Sequence, residues 1–243
     1  MLYLDLGNSL LKIGFFKNDN LIIKKINIKQ LNQLFLKTEI QNLLHLNFHK
    51  AILSSVKPEM NIFFVEVFKK LKINLKIISI LDFSADDLFF DSKINTSEIG
   101  SDILLTSYYI AQKYKSGIVV SLGTATVISK IYHKKLLGVI ISPGIEKSLL
   151  ALFSNTSQIS KIELNYNISF NLATNTTDAV SLGIIKGNKL MINSFLKEIN
   201  SENLKVFYTG GNLRYFKNEN LTNIKEELVI QGLIEFSKNK KLF

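Results

Sequence analysis

Twice in this chain an apolar run of strand length reaches leucine and glycine and then turns through small hydroxyl or amide residues. The first tag is Leu-Asp-Leu-Gly-Asn-Ser at residues 4–9 and the second is Val-Ser-Leu-Gly-Thr-Ala at residues 120–125. Each sits between the first two of three strand-like stretches: residues 2–6, 10–17 and 20–26, then 117–123, 124–133 and 134–142. Alternation of apolar and polar residues predicts strands there, with the polar run Lys17-Asn18-Asp19-Asn20 as a tight turn. Residues 28–46 carry apolar side chains three and four apart and predict a helix. A strand at 50–56, a helix at 60–71, a strand at 75–81 and a helix at 98–114 follow, after which the β-β-β-α order starts again. Either hairpin alone reads as an ordinary turn. At equivalent points of two similar halves, the pair points to a duplication with the halves meeting near residue 115.

Composition sets the class. With 47% apolar and 21% charged residues the chain is globular rather than disordered. No apolar run approaches the roughly 18–20 residues that span a bilayer, and no secretory signal is visible. The chain has no cysteine, which excludes disulfides and thiolate metal sites and makes the cytoplasm the expected location. The net charge of +10 comes almost wholly from lysine, Arg214 being the one arginine. Nucleic-acid readers rely on arginine forks. A dispersed lysine surface is therefore expected, and neither nucleic acid nor membrane is an expected partner.

A strand-Gly-strand turn presents successive backbone N–H groups at a concave point, which suits a phosphate oxygen. Glycine allows the close approach. Ser9 and Thr124 add hydroxyl donors, Lys12 can neutralise phosphate charge, and Asp5 at the strand end can hold Mg²⁺ directly or through water. Two facing hairpins would clamp a nucleoside triphosphate, an arrangement that resembles actin, hexokinase and Hsp70, and that resemblance implies a glycine pair near the adenosine. Gly210 and Gly211, in Val-Phe-Tyr-Thr-Gly-Gly-Asn at residues 206–212, supply that pair.

Seven segments carry a resemblance: DLGNSLLKIG, SSVKPEM, EIGSD, SLGTAT, GVIISPGI, NTTDAVSLG and YTGGN. In order and spacing they resemble the type III pantothenate kinases of the acetate and sugar kinase/Hsp70/actin superfamily. Both prolines of the chain, Pro58 and Pro143, fall inside them. The resemblance implies an α/β fold of two duplicated ribonuclease H-like (actin-like ATPase) domains, each a mixed sheet with flanking helices, at residues 1–114 and 115–243. It implies ATP-dependent phosphorylation of pantothenate, the first step of coenzyme A biosynthesis, by a homodimer using Mg²⁺ and a monovalent cation, K⁺ or NH₄⁺. Residue by residue, Asp5, Gly7, Asn8, Ser9 and Lys12 match the first phosphate motif, and Asp5 is the metal-side carboxylate. Gly123, Thr124 and Ala125 match the second phosphate loop, and Gly210 and Gly211 the adenosine motif. Gly100 and Asp102 match the pantothenate-binding Gly-x-Asp-Arg, with Asp102 as general base, and Thr176 matches a substrate-contacting threonine.

The match departs from the family pattern near the substrate. Ile103 stands where the family has arginine, a loss of about 1.5–3 kcal/mol of charge-assisted hydrogen bonding to the pantothenate carboxylate. Ser121 replaces the aspartate of the second phosphate loop, and Lys93 and Thr96 replace an aromatic residue and a proline. Lys93 could return a positive charge to the substrate carboxylate. The alternative to a working kinase is a catalytically impaired nucleotide-binding relative with a regulatory role, of the transcriptional accessory type. Other chemistry lacks a pattern. His45, His49 and His133 are scattered, the aspartates of residues 82–91 read as an acidic loop, and neither a G-x-S-x-G elbow nor a Walker P-loop occurs.

Overall fold

The first three strands form as predicted: β1 (Leu2–Leu6), β2 (Leu10–Lys17) and β3 (Asn20–Asn27). The β2–β3 turn has two residues, Asn18 and Asp19, with φ of 49° and 62°. Positive φ at both positions gives the turn whose twist matches that of the strands it joins. The computed structural model describes residues 1–84, 86–154, 162–166, 168, 171–216 and 221–240. His133 and Lys134 make the same kind of turn, φ 48° and 63°, between β8 (Ala125–Tyr132) and β9 (Lys135–Pro143).

The segment predicted as one helix at 28–46 is broken. Asn27 and Asn32 each turn a side-chain oxygen to a backbone N–H, of Lys29 and of Phe35, so a short turn Ile28–Gln30 ends and α1 (Gln33–Gln41) starts afresh. Periodicity does not register that interruption. The strand at 75–81 is likewise shorter. After β4 (Lys50–Ser55) and α2 (Asn61–Lys70), β5 covers only Asn74–Ile77. Ser79 then caps a short turn, its N–H 2.8 Å from the Asp82 carboxylate. β6 (Phe89–Phe90) and α3 (Ser101–Tyr114) complete the first half, and β7 (Gly117–Leu122) opens the second. Then come α4 (Ile145–Ser154), α5 (Thr176–Ser181), α6 (Gly187–Ile199), β10 (Val206–Thr209) and α7 (Leu228–Asn239).

The strands form two mixed five-stranded sheets, ordered β3-β2-β1-β4-β5 and β10-β7-β8-β9-β6. The duplication shows in the register: β1 is antiparallel to β2 and parallel to β4, and β7 is antiparallel to β8 and parallel to β10. A counterpart of β5 survives only as one parallel bridge, Tyr208 to Ile224. Contacts group the chain into two units. Unit 1 is Met1–Lys115, His133–Leu136 and Glu227–Phe243; unit 2 is Ser116–Tyr132 and Leu137–Glu226.

Within unit 1 the sheet is covered on both faces. Alternation sends Leu2, Leu4 and Leu6 of β1, with Leu11 and Ile13 of β2, into a core with Leu36 of α1 and Phe64 and Phe68 of α2. Tyr3 and Ile52 face the other way, into a core with Leu105 and Tyr108 of α3 and Ile230, Leu233 and Phe236 of α7. Asp5, two residues from Tyr3, therefore lies on the α3/α7 side of the sheet. No described helix is long and apolar enough to cross a membrane.

Helices α3 and α7 pack with almost no gap at Gly232, where a Cβ would stand 2.5 Å from the Leu105 carbonyl oxygen. Gly232→Ala is expected to lower unfolding free energy by about 1–3 kcal/mol through overpacking. Gly187→Ala in α6, where a Cβ meets nothing within 4 Å, should raise it by about 0.4–1 kcal/mol. Urea denaturation of the two variants checks both signs.

Candidate active site

The carboxyl ends of β1 and β4 meet the amino ends of α3 and α7 in unit 1, and the polar residues gather there. Asp5 pairs in register with Lys12 of β2 on one side and Ser54 of β4 on the other, and Lys12 pairs with Lys25 of β3. One row across the sheet thus reads Ser54, Asp5, Lys12, Lys25. Asp5 is 5% exposed, and its Oδ2 lies 3.2 Å from Lys12 Nζ. Lys12 Nζ is also 2.8 Å from Glu227 Oε2, beside the start of α7, and Lys25 Nζ is 2.5 Å from Glu227 Oε1.

Asp102 belongs to the same group. It lies in the first turn of α3, where the helix N-terminus favours a carboxylate. Its Oδ1 accepts the Ile103 N–H at 2.9 Å. The start of α3 is pinned to β4 by Ser101, whose Oγ is 2.8 Å from Ser54 Oγ and donates to the Ser55 carbonyl at 3.0 Å. Gly100 leaves room for that carboxylate, since a Cβ there would stand 2.5 Å from Asp102 Oδ1 and would make the side chain move.

The charges shift one another. Burial pushes the Asp5 carboxyl above its ordinary value, Lys12 draws it back only in part, and the negative charges of Asp102 and Glu227 push it further up. Burial also raises Asp102, against the pull of the Ile103 N–H, its own N–H and Lys12. For Lys12, burial lowers the ammonium, but Asp5 and Glu227 outweigh it and hold it above the usual lysine value. Lys12 is thus a fixed cation between carboxylates.

The β1–β2 turn closes on a Gly7 N–H to Leu10 carbonyl bond of 3.0 Å, leaving Asn8 and Ser9 exposed. In unit 2 the Gly123 N–H bonds the Ala125 carbonyl at 3.0 Å, so the second turn is one residue shorter. Three residues support it. The Gly144 N–H bonds the Thr124 carbonyl at 3.0 Å, so close that a Cβ on Gly144 would stand 2.2 Å from the Gly123 oxygen. Gly210, at φ +104°, packs with its Cβ position 2.3 Å from the Leu122 oxygen. Asn212 Nδ2 donates to the Gly123 oxygen at 2.8 Å. The β7–β8 turn and Gly210 are therefore one backbone assembly. Gly211 meets nothing in the same test. Thr176 is exposed at the first position of α5, after the Asn175 cap.

The duplication locates what unit 2 lacks. Ser121 pairs with Val127 and Thr209, where unit 1 has Asp5 with Lys12 and Ser54. Neither the carboxylate nor the ammonium is repeated. Among the described residues no three His, Cys, Asp or Glu side chains cluster as a metal cage. One buried carboxylate beside a phosphate-facing turn fits a divalent ion of the Mg²⁺ kind, which keeps waters and substrate phosphate oxygens as its other ligands. Three of the four aspartates of the acidic stretch are tied to lysines instead: Asp82 to Lys76 at 2.5 Å, Asp91 to Lys135 at 2.9 Å, and Asp87 to Lys240. Lys93 is exposed and acts on Asp91; the cation acting on Asp102 is Lys12. Arg214 pairs with Glu146 and lies 5.1 Å from the Tyr215 ring centre. Ser54, Ser101, Gly144 and Asn212 lie within the segments that carry the resemblance, though no role was read for them there, and Glu227 lies outside all seven.

The two sheets and their strand orders are those of the sugar-kinase and actin-like ATPase fold class. A Sinorhizobium meliloti protein named as a 2-dehydro-3-deoxygalactonokinase superposes with TM-score 0.60 at 10% identity, over 100% of this chain and 99% of that one. A Campylobacter jejuni protein described as of the Baf transcriptional-activator family does so with TM-score 0.63 at 21% identity, over the whole of both chains. These likenesses show the fold alone. The chain belongs to the type III pantothenate kinase family, whose model matches residues 1–198. The type III pantothenate kinase of Mycoplasma mobile is 34% identical over 219 residues, 89% of each chain. That of Pelagibacter ubique is 31% identical, covering 95% of each.

Gly100→Ala is expected to displace the Asp102 carboxylate and lower turnover about a hundredfold, because small misplacements of a reacting group are costly. A steady-state assay beside a melting curve checks this: the fold should hold while turnover falls.

Proposed function

We infer that this chain transfers the γ-phosphoryl group of ATP to the primary hydroxyl of pantothenate, giving 4′-phosphopantothenate and ADP. Family membership supports the reaction. The observation that carries the site assignment is the coupling of Asp5, Lys12 and Asp102 at one end of the unit 1 sheet. Asp102 accepts the hydroxyl proton as the new P–O bond forms and the bond to the ADP oxygen breaks. A carboxylate with a raised proton affinity is suited to that role at neutral pH. Gly100 shapes the substrate side of the same carboxylate, and Thr176 contacts pantothenate. Gly7 closes the β1–β2 turn through its bond to the Leu10 carbonyl, Lys12 and the turn residues Asn8 and Ser9 hold phosphate oxygens, and Asp5 would hold Mg²⁺. The ion, when bound, spreads the charge of the moving phosphoryl group. Gly123, Thr124 and Ala125 give the second phosphate loop, and Gly210 and Gly211 the adenosine contact. Positioning and charge stabilisation supply most of the rate gain.

A monovalent cation, K⁺ or NH₄⁺, belongs to the same reading, as does a cytoplasmic homodimer. Unit 2 leaves Ile141, Leu150 and Leu172 more than half exposed, and a second copy of the chain would cover such side chains. The intact Asp5, Lys12 and Asp102 group supports catalysis over a purely regulatory role.

An ADP-release assay with pantothenate, Mg²⁺ and K⁺ tests the reaction; no pantothenate-dependent ADP would overturn it. Asp102→Asn is expected to lower kcat by about 10²–10⁴-fold while leaving ADP affinity in place. The base works deprotonated, so activity falls as pH drops through the raised Asp102 value. The acid limb of kcat/KM should therefore lie above the ordinary aspartate value of about 3.9, and its absence from the wild-type profile would remove Asp102 from the role. Leu150→Glu should shift the dimer toward monomer in light scattering.

A further inference from the structure

Glu227 has no part in the assignments above, yet it binds both lysines of the charged row. It is the residue before α7, its backbone is left-handed at φ 52°, and its side chain makes no capping hydrogen bond to its own helix. A non-glycine residue held there needs a reason from its surroundings. Both carboxylate oxygens supply one: Oε2 is 2.8 Å from Lys12 Nζ and Oε1 is 2.5 Å from Lys25 Nζ. The side chain is 14% exposed.

The register shows what this contact opposes. Lys12 and Lys25 are direct partners on neighbouring strands, and like charges so placed repel. Lys25, 52% exposed, can turn to water, whereas Lys12, 21% exposed, is hemmed in. The other anion on Lys12 is Asp5, which the proposed reaction commits to the metal. One carboxylate cannot neutralise the lysine and also give its charge to a divalent ion. A second anion is therefore needed to hold the ammonium at the phosphate turn when Asp5 is engaged, and Glu227 is already bonded to it.

We propose that Glu227 is a positioning residue for nucleotide binding: it screens Lys12 from Lys25 and holds the Lys12 ammonium at the β1–β2 phosphate turn. This rests on the reading of Asp5 and Lys12 as phosphate-side groups. The pair Glu227 and Lys25 acts through Lys12, so its effect falls on nucleotide affinity and not on pantothenate.

Calorimetric titration with Mg-ADP, which needs no turnover, is the primary test, with steady-state kinetics beside it. Glu227→Gln should weaken Mg-ADP binding and raise the KM for ATP about tenfold, the scale of one charge-assisted hydrogen bond. The KM for pantothenate should stay within about twofold. Glu227→Asp, which keeps the charge one methylene short, should give a smaller loss. Adding Lys25→Met to Glu227→Gln should recover part of the affinity by removing the repelling neighbour. A Glu227→Gln protein that melts earlier but binds Mg-ADP as the wild type does would make the residue merely structural and overturn the proposal. So would a double variant no better than the single one. If Glu227→Gln does not fold, Glu227→Asp decides, and undiminished Mg-ADP affinity there overturns the proposal as well. A wild-type chain that neither binds Mg-ADP nor turns over fails at the underlying reading, whereas an active wild type with an indifferent Glu227 fails only here.

Discussion

A carboxylate buried at the end of a central strand is the constraint around which unit 1 is arranged. Asp5 is flanked by Leu4 and Leu6, both fully buried, and the alternation that sends those leucines into one core turns Asp5 toward α3 and α7. Charge there is costly unless paired. The ammonium of Lys12 comes from the strand hydrogen-bonded to β1, delivered by a turn of fixed length, so the pairing is built into the register. Removing one member of such a pair costs about 3–5 kcal/mol, whereas an apolar pair of similar volume would fold as well or better. Stability alone gives no reason for Asp5 and Lys12; the phosphate and metal roles proposed for them would.

The second half of the chain shows the same fold with that constraint lifted. Ser121, Val127 and Thr209 occupy the row positions of Asp5, Lys12 and Ser54. The β7–β8 turn keeps its glycine but is a residue shorter, and it is braced by Gly144 and Asn212 from behind rather than by charge. Unit 1 thus holds carboxylates and a cation at this row, whereas the matching turn of unit 2 is held by backbone hydrogen bonds and close-packed glycines. The duplicated strand order is kept, while the charged row is present in one copy alone.

Much of this was legible in the sequence, because strand alternation and turn residues act locally. Leu2 to Asn27 folded as three strands with the turn at Asn18-Asp19, and the two glycine tags fell at equivalent turns. Local side-chain competition was not legible. Asn32 broke the helix expected over 28–46, and Ser79 with Asp82 ended the strand expected over 75–81, since a cap depends on rotamers that periodicity ignores. Glu227 was invisible for another reason: it sits more than two hundred residues from Asp5 and Lys12, and Lys-Glu-Glu-Leu reads as an ordinary helix start. Gly232 likewise looks like a helix-weakening residue until Leu105 is seen against it.

The departure at Ile103 can be weighed in the same terms. Its N–H holds Asp102 Oδ1, so the backbone at this position serves the base whatever its side chain. The missing guanidinium would have met the substrate carboxylate, a group that does not change charge during phosphoryl transfer. Such a contact binds ground state and transition state alike, so its loss weakens capture of pantothenate without raising the chemical barrier. Lys93 is exposed, and its charge acts on Asp91. On the proposed reaction the groups that would meet developing charge are Asp102 and Lys12, both at the buried polar end of the unit 1 sheet. On that reading the change at Ile103 bears on affinity for pantothenate and leaves the chemical step to Asp102.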